Sequence, residues 1–145
     1  MLHSSAVIDR FTGEYSFLSN FSPHPLTFGT EIAKTCEHAF QAAKATNARD
    51  AAWVLAAPGP REAKRRGRSI AKRPDWDLRK DEVMLICLRV KFAKGTELAR
   101  RLDATGDAQL IEGNTWGDRY WGMCDGYGLN KLGHLLMLVR AENRK

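Results

Sequence analysis

Between residues 113 and 130 the chain carries five glycines: Gly113, Gly117, Gly122, Gly126 and Gly128. Glycine loses more backbone freedom on ordering than any other residue, so this density works against a long helix or strand there. The same stretch holds Trp116, Tyr120, Trp121 and Tyr127, and so many aromatic rings argue against disorder. It reads as a structured loop region, and loops of this length usually carry function.

Before the loop, local signals favour helices. Thr35 suits the N-cap of a helix from Cys36 to about Asn47. A second helix is expected from Ala48 to Ala57, ending at Pro58-Gly59. Pro60 suits a first helical position, so Pro60 to Arg66 reads as a third helix, closed by Gly67. A long helix is expected to start at Asp75 or Asp77 and run to about Lys94, with Val83, Ile86, Cys87 and Val90 at helical spacing. Gly95-Thr96 stops it and caps a helix from Glu97 to Ala104. After the loop, Asn130 is expected to cap a final helix through Leu132, Leu135, Leu136 and Val139. Strand signals are sparse. Residues 5–11 suggest an opening strand, residues 26–32 a hairpin-like return around Phe28-Gly29-Thr30, and residues 109–112 a short strand. The expected fold is mainly α (α+β), with a small antiparallel β element near the start. At 145 residues it is expected to form one domain, residues 1–145.

Composition excludes several classes. No apolar run approaches the ~20 residues of a membrane helix. The opening Met1-Leu2-His3-Ser4-Ser5 lacks the charged flank and apolar stretch of a secretory signal. Three widely spaced cysteines (Cys36, Cys87, Cys124) form no Cys-x-x-Cys pair. That fits a reducing, cytoplasmic setting and disfavours a disulfide framework. The four histidines show no metal-ligand spacing, and neither a P-loop nor a dinucleotide fingerprint occurs, so no metal or cofactor is expected. A net charge of +6 points toward anionic partners.

Three groups of residues carry chemistry. The first is residues 36–44, where helical spacing sets Glu37, Gln41 and Lys44 on one face, with Cys36, Phe40 and Ala43 on another. Such a face is a solvated surface or the wall of a reaction site. A carboxylate in a first helical turn is kept ionised by the helix dipole, which suits a base or the stabilisation of a cationic transition state. The second is the basic run Arg61, Lys64, Arg65, Arg66, Arg68, Lys72 and Arg73, opposed only by Glu62. Like charges this dense are relieved by a bound anion, and Arg fits phosphate bidentately. Arg68, following Gly67, is expected to point away from the helix. The third is the aromatic set Phe17, Phe21, Trp76, Trp116, Tyr120 and Trp121, which are core residues or stacking platforms for a base. Glu112 and Asp118 complete the carboxylates.

These segments fall in an order that resembles the NADAR, or YbiA-like, family. The resemblance rests on Phe17-Leu18-Ser19-Asn20-Phe21, Glu37-His38-x-Phe40-Gln41-x-x-Lys44 and Ala63-Lys64-x-x-Gly67-Arg68. It continues with Trp76-x-x-Arg79, Met84 and Lys91-Phe92. The last third adds Leu102-x-x-Thr105-Gly106, Leu110-Ile111-Glu112, Asp118-x-x-Trp121-Gly122 and Gly128-x-Asn130-x-Leu132-Gly133. It runs through nearly the whole chain.

The resemblance implies a compact multihelical N-glycosidase with no cofactor. Two substrate classes go with such proteins: phosphorylated riboside intermediates of the riboflavin pathway, and ADP-ribose on guanine bases of nucleic acid, where the enzyme opposes a toxin partner. It implies catalytic roles for Glu37, with Asp118 second, and for Lys44, whose amine could form an imine with ring-opened ribose. It implies phosphate contacts from Lys64, Arg68 and Arg79, stacking by Trp76 or Trp121, and further substrate contacts from Asn20, Gln41, Glu112 and Asn130. A non-catalytic ADP-ribose or NAD-binding module is the alternative. A nucleic-acid-binding protein rests on charge alone.

Overall fold

A computed structural model describes residues 6–145. In chain order the elements are β1 (Val7–Ile8), a 3-10 helix (Gly13–Leu18), β2 (Leu26–Phe28), β3 (Glu31–Ala33), α1 (Cys36–Ala42), α2 (Ala48–Leu55), α3 (Pro60–Ser69) and α4 (Trp76–Lys91). They continue with α5 (Glu97–Asp103), β4 (Gln109–Leu110), β5 (Gly113–Asn114), β6 (Met123–Cys124) and α6 (Lys131–Asn143). The fold is mainly helical α+β. No helix among the described residues is long and apolar enough to cross a membrane. Two compact units form, one from Asn20–Lys91 and one from the described residues up to Ser19 with Phe92–Lys145.

In the first unit β2 and β3 make an antiparallel hairpin, with Leu26 opposite Ala33 and Phe28 opposite Glu31. Gly29, at φ +59°, makes the turn. Thr35 caps α1 as expected, its hydroxyl accepting the His38 N–H at 3.1 Å. Asn47 caps α2 by accepting the Asp50 N–H at 2.8 Å. Pro60 opens α3. Ala42 of α1, Val54 of α2, Ala57 between α2 and α3, and Ala63 of α3 form a small-residue core, packed over by Phe28, Leu55 and Ile70. Small side chains let these short helices approach closely, which fixes the backbone around α1.

Four expectations about this unit are corrected. Helix α1 ends at Ala42 rather than near Asn47, because the chain turns away: Ala45 bridges Lys72, and Lys44 O accepts the Arg73 N–H at 2.8 Å. Helix α2 is shorter by two residues. Gly67 does not close α3, which continues through Ser69, so Arg68 is an exposed helical residue rather than one released from the helix. Helix α4 stops at Lys91 and buries Met84, Cys87 and Leu88, while Ile86 and Val90 are exposed. Both apolar faces have helical spacing, so periodicity does not choose between them.

In the second unit β1 pairs in parallel with β4, Val7 opposite Gln109, and β5 pairs in parallel with β6. Sheet structure is therefore not confined to an antiparallel element near the start. The expected strand over residues 5–11 is realised only as Val7–Ile8, and Ser5 lies outside the described residues. Thr96 caps α5 by accepting the Ala99 N–H at 3.2 Å. Phe17 is buried and meets Phe92 edge-on, with centroids 6.4 Å apart. Arg101 covers its ring at 4.3 Å, so Phe17 is core rather than a base platform.

Candidate active site

Glu37 and Gln41 lie one turn apart on α1. They are 7% and 4% exposed, so this face is not a solvated surface. The Glu37 N–H is held by Asn20 O at 3.0 Å, and Gln41 Nε2 donates to Glu37 Oε2 at 2.6 Å. The backbone of Glu37 is thus tied to Asn20 and its carboxylate to Gln41 on its own helix.

Lys44 follows the end of α1 instead of continuing its face, its N–H reaching Gln41 O at 3.2 Å. Its ammonium stands 6.0 Å over the Trp76 ring. Trp76 is buried and packs on Phe40, centroids 5.1 Å apart. Burial pushes the Lys44 amine below its ordinary value. Glu37 opposes that shift, and Lys72, Arg68 and Lys64 add to it. The expected basic run therefore divides. Lys64, Arg68 and Lys72 act electrostatically on Lys44. Arg65 and Arg66 are taken up by Glu62, and Arg66 also lies on the Trp53 ring at 5.0 Å. Arg79 is engaged by Asp75 and Glu82.

Asn20 is buried, and its Nδ2 donates to Met84 Sδ at 3.4 Å while its Oδ1 accepts no hydrogen bond among the described residues. His38 is fully buried. Its Nδ1 meets Thr35 Oγ1 at 2.8 Å and its Nε2 meets Ala57 O at 2.9 Å. A carbonyl only accepts, so Nε2 carries the proton and Nδ1 takes the threonine hydroxyl.

The other unit holds the remaining candidates. Asp118 Oδ1 accepts the N–H groups of Tyr120 (3.1 Å) and Trp121 (2.9 Å), and Asn114 Oδ1 accepts the Asp118 N–H at 3.0 Å. Asp118 organises the turn that presents Trp121. Glu112 Oε2 accepts from Asn114 Nδ2 at 3.0 Å. Gly122 packs so closely that a methyl there would overlap the Glu112 carboxylate and backbone. Asn130 precedes α6 in the left-handed region, φ +51°, and does not cap it with its side chain. Its Oδ1 accepts the Glu112 N–H (3.0 Å) and its Nδ2 donates to Leu110 O (2.9 Å), tying β4 to the start of α6. Lys72 as a neighbour of Lys44, the packing of Gly67 and the bridging by Asn114 were not anticipated. Only Gly67 carried a signal, since glycine inside a helical pattern implies a packing reason.

The pattern of the NADAR domain matches residues 9–144. An N-glycosidase of Nostoc punctiforme is 39% identical over 136 residues, covering 90% of this chain and 86% of the relative. The N-glycosidase YbiA of Escherichia coli is 37% identical over 132 residues, covering 89% and 82%. A riboflavin biosynthesis protein of Vibrio vulnificus is 39% identical over 131 residues, 88% of this chain but 35% of that protein. The NMR structure of E. coli YbiA superposes with a TM-score of 0.86 at 34% identity, over 97% of this chain and 86% of that one. Fold and relatives together define a hydrolase of the N-glycosidase class. The chain belongs to the NADAR domain family.

Proposed function

We propose that this chain hydrolyses the base–ribose bond of a phosphorylated riboside, with Glu37 at the sugar and Lys44, Lys64, Arg68 and Lys72 at the phosphate. The observation that carries the reading is a buried carboxylate held by Gln41 at 2.6 Å, whose charge acts on the partly buried Lys44 amine together with those of Lys72, Arg68 and Lys64. Cleaving the C1′–N bond builds positive charge on the sugar. A carboxylate at C1′ stabilises that charge. Water oxygen bonds to C1′ as the C1′–N pair leaves with the base, which takes up a proton. The cations bind phosphate and convert that binding into orientation. The N-glycosidase and riboflavin-biosynthesis names of the relatives support the same substrate chemistry.

A second route is favoured by the lowered Lys44 pKa. Ring opening leaves C1′ electrophilic. A neutral Lys44 amine adds there, the base departs with a proton, and water hydrolyses the imine to free sugar.

The test offers an aminouracil riboside phosphate and, separately, DNA carrying ADP-ribosylated guanine. Ribose phosphate release is expected. Release of ADP-ribose from the DNA would assign the other substrate class, and binding without turnover would make the chain a binding module. Glu37→Gln is expected to lose at least 10²-fold in kcat, the scale of a lost general base. Wild-type kcat in that variant would remove Glu37 from the mechanism. Borohydride added during turnover separates the routes: a protein–sugar adduct, absent from Lys44→Ala, supports the imine, and its absence leaves attack by water.

A further inference from the structure

We propose that Gly67 is a positioning residue for Glu37, acting through Gln41; the proposal rests on Glu37 being the carboxylate at the sugar. Gly67 lies inside α3 and is buried. Its φ is not in the left-handed region, so the backbone does not require glycine. Glycine in a helix interior costs roughly 1 kcal/mol against alanine, so the close packing has a reason. That reason is Gln41. A Cβ on residue 67 would overlap Gln41 Oε1 and stand 2.8 Å from Gln41 Cδ and 2.9 Å from its Cβ. Contacts that short force a side chain to move.

Gln41 has little room to give way. It is 4% exposed, and its Oε1 is buried with no hydrogen-bond donor among the described residues. Two constraints orient the amide. Glu37 Oε2 takes the Nε2 donor at 2.6 Å, and the oxygen must then face the bare Gly67 Cα. Turning the amide over would set its oxygen against a carboxylate that only accepts. Gly67 thus makes the room in which Gln41 can hold Glu37. A methyl there pushes the amide away and shifts the carboxylate that it orients.

Gly67→Ala, Gln41→Ala and the double variant form a cycle, with Glu37→Gln beside them. Gly67→Ala is expected to lower kcat about 10²-fold, the cost of a displacement near 1 Å, with KM little changed. Because the methyl acts through the glutamine amide, Gly67→Ala added to Gln41→Ala should cost less than threefold more. Multiplying losses in the cycle overturn the proposal, as does wild-type kcat in Gly67→Ala. If Glu37→Gln is inactive while Gly67→Ala is normal, the positioning role alone fails. If Glu37→Gln is fully active, the reading of Glu37 fails. Should Gly67→Ala not fold, the double variant decides. Folding with the kcat of Gln41→Ala supports the proposal, and failure to fold overturns it.

Discussion

Lys91 Nζ donates to Ser22 Oγ at 2.9 Å, joining residues sixty-nine positions apart, and both side chains are buried. His24 Nδ1 meets the same hydroxyl at 3.0 Å. Lys91 is the last residue of α4, and its stem packs beside Met84, Cys87 and Leu88 on the buried face of that helix.

Burial pushes the Lys91 amine down from 10.5 to about 8, with Cys36 opposing weakly. Below about pH 8 the amine is protonated whether the chain is folded or not. Above it the folded chain releases the proton while the unfolded chain keeps it to 10.5. The unfolded state then binds more protons, so stability rises with pH by about 1.4 kcal/mol per unit. Cys36, raised by its contact with Cys87 and by burial, acts in the opposite direction above its ordinary 9.0. Urea unfolding at pH 7 and pH 9 therefore isolates the lysine. Lys91→Met should gain less stability over that interval than the wild type, and equal gains would contradict the assignment.

His38 should titrate below its ordinary 6.5. Burial lowers its pKa, the Ala57 carbonyl opposes that shift, and Lys34 adds to it. Its stabilising contribution is complete above 6.5 and is lost as pH falls through the lower folded value. Ring nitrogen NMR shifts are expected to show the Nε2–H tautomer at pH 7. An imidazolium signal there would refute the bonding with Thr35 and Ala57.

Gly122→Ala should be among the most damaging single substitutions in its unit. The new methyl would overlap the Glu112 carboxylate and backbone and stand 2.7 Å from Asn114 Nδ2. Overpacking of this kind costs about 1–3 kcal/mol. Gly126, at φ +85°, has open space where a Cβ would go, so Gly126→Ala should cost only the left-handed backbone penalty of roughly 1 kcal/mol. Thermal melts of both variants check the order.

Asn130→Gly and Asn130→Ala separate two roles of one residue. Both lose the bonds to Glu112 N and Leu110 O, at about 1–3 kcal/mol for buried groups left unpaired. Alanine also carries the strain of φ +51°, so it should be worse by roughly 1 kcal/mol. Equal unfolding midpoints would show that backbone conformation contributes nothing there.

Helix starts were legible because capping is local chemistry. Thr35, Pro60 and Thr96 each act within four residues of their own position. Helix ends were less so. Nothing near Ala43 announces that the chain must leave α1 to bridge Lys72. Glycine is ambiguous by nature, since Gly67 offers the same absent side chain to a helix terminus and to a close neighbour. The parallel pairing of Val7 with Gln109 joins segments a hundred residues apart, for which the two short runs carry no register.

Sequence alone determined the positions of most helices, the glycine-broken loop, and the presence of Glu37, Gln41 and Lys44 in one short segment. Order and spacing along the chain carry that information directly. Only the tertiary structure decided that Glu37 and Gln41 are buried and bonded, that Lys44 has left their helix, and that the charges of Lys64, Arg68 and Lys72 act on its amine. Burial and electrostatic fields arise from groups brought together by packing, so no local pattern contains them.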